Sequence, residues 1–132
     1  MRTWIFAAAI AALGAPAQAD PAAVQGVIDG QITAFRADDL DTAFTFAAPG
    51  IQGLFRNPSS FGAMVRQGYP MVWRPGSVEY LRSDQAGPFW EQEVLITDAG
   101  GRLHLLLYRL TETPDGWRIA SVELLRAPEV GA

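Results

Sequence analysis

Apolar positions along the chain change their period near residue 75. Upstream they recur every three or four residues: Val24, Val27, Ile28, Ile32 and Phe35, then Leu40, Ala43, Phe44 and Ala47, then Phe61, Met64 and Val65. Asp20-Pro21 supplies an N-cap and first-turn pair for a helix running to about Ala37. Asp38-Asp39 caps a second, shorter helix that Pro49-Gly50 ends, and Asn57-Pro58 opens a third that Gly68 stops. A short apolar piece, Ile51, Leu54 and Phe55, separates the second from the third. From Gln67 to Gly76 the prolines forbid a continued helix, so this ring-bearing stretch reads as an extended connector.

Ser77 to Ser83 alternates weakly and predicts an edge strand with Val78, Tyr80 and Arg82 on one face; Asp84 to Pro88 reads as a loop. Phe89 to Leu125 then predicts three strands joined at Asp98-Ala99-Gly100-Gly101 and Thr113-Pro114-Asp115-Gly116. Both turns fit a type I turn followed by a left-handed glycine, which pairs Asp98 with Arg102 and Thr113 with Trp117. That register sets Glu91 opposite Arg109 and Glu112 opposite Arg118, and these opposite-charge pairs support it independently. One face collects Trp90, Gln92, Val94 and Ile96, then His104, Leu106, Tyr108 and Leu110, then Ala120, Val122 and Leu124. The other carries Phe89, Glu91, Glu93 and Leu95, then Leu103, Leu105, Leu107 and Arg109, then Trp117, Ile119, Ser121, Glu123 and Leu125. This second face is too apolar for water alone, and three short helices cover only one side of a sheet. The expectation is a homodimer through Phe89, Leu103, Leu105, Leu107, Arg109 and Ile119.

The predicted fold class is α+β: two to three N-terminal helices packed on a curved antiparallel sheet of about four strands, forming a single domain over residues 20–132. This order of elements resembles the nuclear-transport-factor-2-like superfamily, which includes ketosteroid isomerase and many binding domains. More narrowly, Asp38-Asp39 with Ala43-Phe44, Phe61 with Met64-Val65, Gly68-Tyr69-Pro70-Met71-Val72, Gln92, Tyr108 and Asp115-Gly116-Trp117-Arg118-Ile119 resemble a small exported bacterial family catalogued as domain of unknown function 4864. The superfamily resemblance implies an apolar cone between helices and sheet. The family resemblance implies no activity.

The first residues change the compartment. Met1-Arg2, an apolar run from Trp4 to Leu13 and then Ala17-Gln18-Ala19 have the three parts of a secretory leader, with cleavage expected after Ala19 and a periplasmic or secreted mature chain. The apolar run falls well short of the ~20 residues a membrane-spanning helix needs, so stable membrane insertion of the mature chain is not expected. The chain has no cysteine, so packing alone must hold it. All ten basic residues are arginine against fourteen acids, for a net charge of −4. Loss of Arg2 with the leader makes the balance more acidic. That excludes nucleic acid as the expected partner, and the absence of lysine excludes a lysine Schiff base.

Little in the sequence specifies a reaction. One histidine, no cysteine and scattered carboxylates give no metal set, and there is no nucleophile elbow or phosphate loop. No cofactor, metal site or catalytic residue is expected. His104 reads as an ordinary strand residue beside Arg102 or Arg126. Tyr69, Trp73, Trp90, Gln92 and Tyr108 are the candidate pocket residues, since Tyr and Trp join an apolar body to a polar tip. In this reading Gln92, opposite Tyr108, satisfies the buried phenol. The function expected is non-catalytic binding of a small apolar molecule or of a protein partner. One alternative is an acid/base enzyme of the isomerase or dehydratase sort, using Tyr108, Gln92 and a loop carboxylate such as Asp84. Another is a structural or inhibitory subunit of another exported protein, which would require a large exposed apolar patch.

Overall fold

Proline sets where most of the helices begin. The computed structural model describes residues 20–125, so the expected leader at 1–19 lies outside the described residues. Helices α1 (Pro21–Arg36), α3 (Pro49–Phe55), α4 (Pro58–Gly68) and α5 (Pro70–Trp73) each start on a proline, where the missing N–H has no intrahelical role. Helix α2 (Leu40–Thr45) starts after Asp39 instead. Three predicted caps are in place: Asp20, Asp39 and Asn57 accept the backbone N–H of Ala23, Thr42 and Ser60 at 2.7, 3.1 and 2.8 Å. Two sequence expectations are corrected by the same chemistry. Pro49 and Pro70, read as breakers, begin one helix over Ile51, Leu54 and Phe55 and one turn of helix in the expected connector.

Four antiparallel strands follow, β1 (Pro75–Ala86), β2 (Phe89–Asp98), β3 (Leu103–Thr113) and β4 (Gly116–Leu125), paired in chain order. The fold is α+β, five helices on a four-stranded open sheet among the described residues. The β2–β3 register is the predicted one, with Glu91 opposite Arg109 and Gln92 opposite Tyr108. Its turn ends on Gly101 at φ +87°, and the Asp98 N–H bonds the Arg102 carbonyl at 2.9 Å.

The β3–β4 hairpin departs from the prediction near its turn. Thr113 pairs with Gly116 and Glu112 with Trp117, so Glu112 does not face Arg118. Between Ile119 and Ser121 the strand then bulges at Ala120, and from Arg109 opposite Ser121 onward the predicted register resumes. The physical reason is burial. The bulge turns Ile119 to the helix side, where it is 4 % exposed and belongs to the core. Trp117 moves with it. Ile119, expected on a dimer face, therefore lies under the helices. Its backbone also docks the α2–α3 junction: Ile119 N–H donates to Phe46 O at 2.9 Å, and Ala48 N–H donates to Ile119 O at 2.8 Å.

A second bulge interrupts β1, where Leu81 and Arg82 oppose the single residue Glu93. It sends Arg82 to the outer face, correcting its expected place beside Val78 and Tyr80. Gln92 holds this bulge. Its amide donates to the carbonyls of Leu81, Arg82 and Glu93 at 3.4, 3.2 and 2.9 Å, and its oxygen accepts from Gln25 Nε2 of α1 at 3.2 Å. The helix layer covers the sheet face bearing Val94, Ile96, Leu106, Tyr108 and Leu110, and α1 buries Val24, Ile28, Ile32 and Phe35 on it.

Two outcomes follow for stability. Gln92→Leu leaves carbonyls at the β1 bulge unpaired and is expected to cost about 2 kcal/mol in urea unfolding, with the m-value unchanged. Thr42 hydrogen bonds hold the Asp39 carboxyl below the usual carboxylate range, and His104, with the turn amides, does the same for Asp98. Both folded values lie below the unfolded ones, so this stabilisation is present above about pH 4 and drains away as the pH falls through the folded values. The urea midpoint should drop between pH 5 and pH 3, and less steeply in an Asp39→Asn, Asp98→Asn double variant.

Candidate functional site

A cavity of about 300 Å³ lies between the helix layer and the bulged half of β4. Gln31 and Phe35 of α1 reach it from one side, Phe61, Met64 and Val65 of α4 from another, and Tyr108 with residues 119–122 from the sheet. Helix α3 covers it with Ile51, Leu54 and Phe55. That helix has no buried residue of its own and no side-chain cap, and Leu54 is 71 % exposed, so this wall meets solvent. The volume is at the lower end of the ~300–1,000 Å³ typical of small-molecule sites.

The lining is apolar with a few polar points. Gln31 donates its amide to Ala43 O at 3.2 Å, and the Tyr69 hydroxyl donates to Val122 O at 3.3 Å. Tyr108 is wholly buried, and its hydroxyl has no hydrogen-bond partner among the described residues. Burial, with Tyr69 nearby, pushes the Tyr108 phenol well above its ordinary pKa. No charged side chain is among the described residues lining the cavity.

Of the five pocket residues expected from sequence, Tyr69 and Tyr108 line this cavity and three do not. Trp73 packs on Phe35 with ring centroids 5.4 Å apart, beneath the Arg74 guanidinium at 4.7 Å. Arg74 in turn donates to Phe35 O and to Asp38 Oδ1, each at 2.7 Å, which ties this corner to the end of α1. The Trp90 indole donates to Ser83 Oγ at 2.7 Å. Gln92 is spent on the β1 bulge, so the expected Gln92–Tyr108 hydrogen bond is absent although the two are directly paired. Among the lining residues absent from that expectation are Ile51, Leu54 and Phe55 of α3. Pro49 was the signal for them, as a helix-starting residue before the spacing Ile51, Leu54, Phe55.

Other candidate groups sit elsewhere. His104 Nε2 lies 2.9 Å from Asp98 Oδ2; Arg126, expected beside it, lies outside the described residues. Asp84 is bound by Arg82 at 2.6 Å on the sheet face away from the helices. That outer face carries a ladder across all four strands: Arg82 also meets Glu93 and Glu91, and Arg109 meets Glu91 at 2.9 Å and Glu123 at 3.3 Å. Leu107, paired with Glu93 and Glu123, is 7 % exposed within it, while Phe89, Leu103 and Leu105 are half-buried. No group of three potential metal ligands occurs among the described residues, and no helix among them is long and apolar enough to cross a membrane.

No curated protein and no solved structure matches this chain. Residues 17–132 match the family described as Domain of unknown function (DUF4864), a span that takes in all five helices, the sheet and the cavity between them. The chain belongs to that family.

Proposed function

We propose that this protein is an exported, non-catalytic domain that binds a small apolar molecule between its helices and β4. The observation that carries this reading is the cavity itself, about 300 Å³ and walled by Phe35, Phe55, Phe61, Val65 and Ile119. Apolar surface of this kind favours a hydrophobic occupant at roughly 25 cal/mol per Å² removed from water. The leader pattern at residues 1–19 supports export. The acid/base alternative is less well supported. It needs a carboxylate within reach of a substrate in the cavity, and the described lining residues include none. Its candidate base, Asp84, is paired with Arg82 on the far side of the sheet. The subunit alternative needs a large exposed apolar patch, whereas the exposed large hydrophobics among the described residues, Leu54, Leu81 and Leu124, belong to three different elements.

The mature chain should bind the neutral fluorophore N-phenyl-1-naphthylamine with a blue shift and enhanced emission. Met64→Trp places a larger side chain in the cavity wall and should weaken that binding about tenfold or more, while thermal unfolding confirms a folded variant. Equal binding by both proteins would show that the fluorophore sits elsewhere.

A further inference from the structure

Helix α3 is the weakest wall of the cavity. At seven residues it is too short to be stable outside its tertiary contacts. Every other helix among the described residues buries at least one side chain, and α3 buries none. Arg56 at its C-terminus holds φ +72°, which non-glycine residues rarely adopt and which costs free energy. Gly53 sits near its middle, where a Cβ would meet nothing within 4 Å, so no close approach demands glycine there and its effect is to weaken the helix. The flanks are firm by contrast. Ala48 N–H is bound to Ile119 O at 2.8 Å, and Asn57 caps α4 through Ser60 N–H at 2.8 Å. Between these fixed points α3 is held by the Gln52 amide, which donates to Phe44 O and Ala47 O at 3.0 Å each, and by the Phe55 ring edge-on to Phe61 at 5.8 Å. Leu54 lines the cavity yet stays largely in water, so it gains by moving over an apolar occupant.

We propose that α3 is a lid over this cavity: it unwinds between Ala48 and Arg56 to admit the occupant and rewinds over it, drawing Leu54 out of water. The occupant is the small apolar molecule of the binding reading given above, on which this inference rests. Opening breaks the two Gln52 hydrogen bonds and the Phe55–Phe61 contact, and it leaves the Ala48–Ile119 bond and the Asn57 cap in place. Moving any other wall would instead expose core side chains such as Phe35 of α1, Val65 of α4 or Ile119 of β4.

The test compares the mature chain with its Gly53→Ala variant, in which the added methyl group has room. In hydrogen exchange of the ligand-free protein, amides of residues 49–56 should exchange about tenfold or more faster than those of α4, after allowance for intrinsic rates, and Gly53→Ala should slow them about threefold to tenfold. The wound helix is common to the free and occupied states, so the substitution hinders opening alone. Stopped-flow fluorescence should therefore show N-phenyl-1-naphthylamine entering and leaving the variant more slowly by that same factor, with Kd unchanged. Exchange in α3 as slow as in α4 overturns the lid, whatever the cavity binds. Association and dissociation rates that Gly53→Ala leaves unchanged overturn it too, and leave the pocket reading standing. Leu54→Ser should leave Tm unchanged, because the side chain is exposed in the free protein, and should weaken the fluorophore about threefold or more. Equal affinity would show that Leu54 is not drawn over the occupant and would overturn closure. Failure of the fluorophore to bind either chain overturns the pocket reading and the lid with it.

Discussion

Strand β3 is apolar on both faces, and the architecture follows from the need to cover it twice. On one side Leu106, Tyr108 and Leu110 are fully buried beneath the helix layer. On the other, Leu107 is kept from water within a ladder of arginines and carboxylates contributed by all four strands. Each exposed ion pair contributes little, about 0–1 kcal/mol. Its larger service is geometric: Arg82 and Arg109 each bridge carboxylates on neighbouring strands across this face, and long side chains of this type cover apolar surface with their stems. The ladder thus covers part of a face whose composition led to the expectation of a second copy.

The two edge strands adapt by bulging rather than by slipping. A one-residue slip of β4 would invert every side chain along it, whereas the bulge at Ala120 inverts only the half that carries Trp117 and Ile119. Burial of Ile119 and its two backbone bonds to the α2–α3 junction hold that arrangement. The β1 bulge has its own keeper in Gln92. These two adjustments shape the cavity: the bulged residues 119–122 of β4 line it, and Gln92, spent on the other bulge, is withdrawn from Tyr108, its partner across the strands.

Much of this was legible in residue order, and what was not has identifiable causes. The three caps, the stripe on α1 and the β2–β3 register each rest on a local rule that no distant contact overrides. Helices α3 and α5 were missed because proline carries two meanings, ending one helix or beginning the next, and Pro49 and Pro70 do the second. The turn-proximal half of the β4 register was missed because a two-residue turn, Pro114-Asp115, stands where a three-residue loop was expected; the bulge at Ala120 restores the expected pairing from Ser121 onward. Of the candidate site, Tyr69 and Tyr108 were legible as amphipathic rings, one in the ring-bearing stretch after Gly68 and one on the core face of β3. Trp73 and Gln92 were not separable from them, since an arginine stacked on an indole and an amide clasping a bulge depend on partners 36 to 39 residues away or on an adjacent strand.

The account turns on Tyr108 carrying a hydroxyl that folding does not use. Thermal unfolding of the ligand-free mature chain against Tyr108→Phe measures this directly. Removing an unpaired buried hydroxyl should leave Tm unchanged or raise it. A fall of about 4 °C or more, equivalent to roughly 1 kcal/mol in a domain of this size, would mean that the hydroxyl is already partnered within the fold, and would contradict its standing as an unused donor.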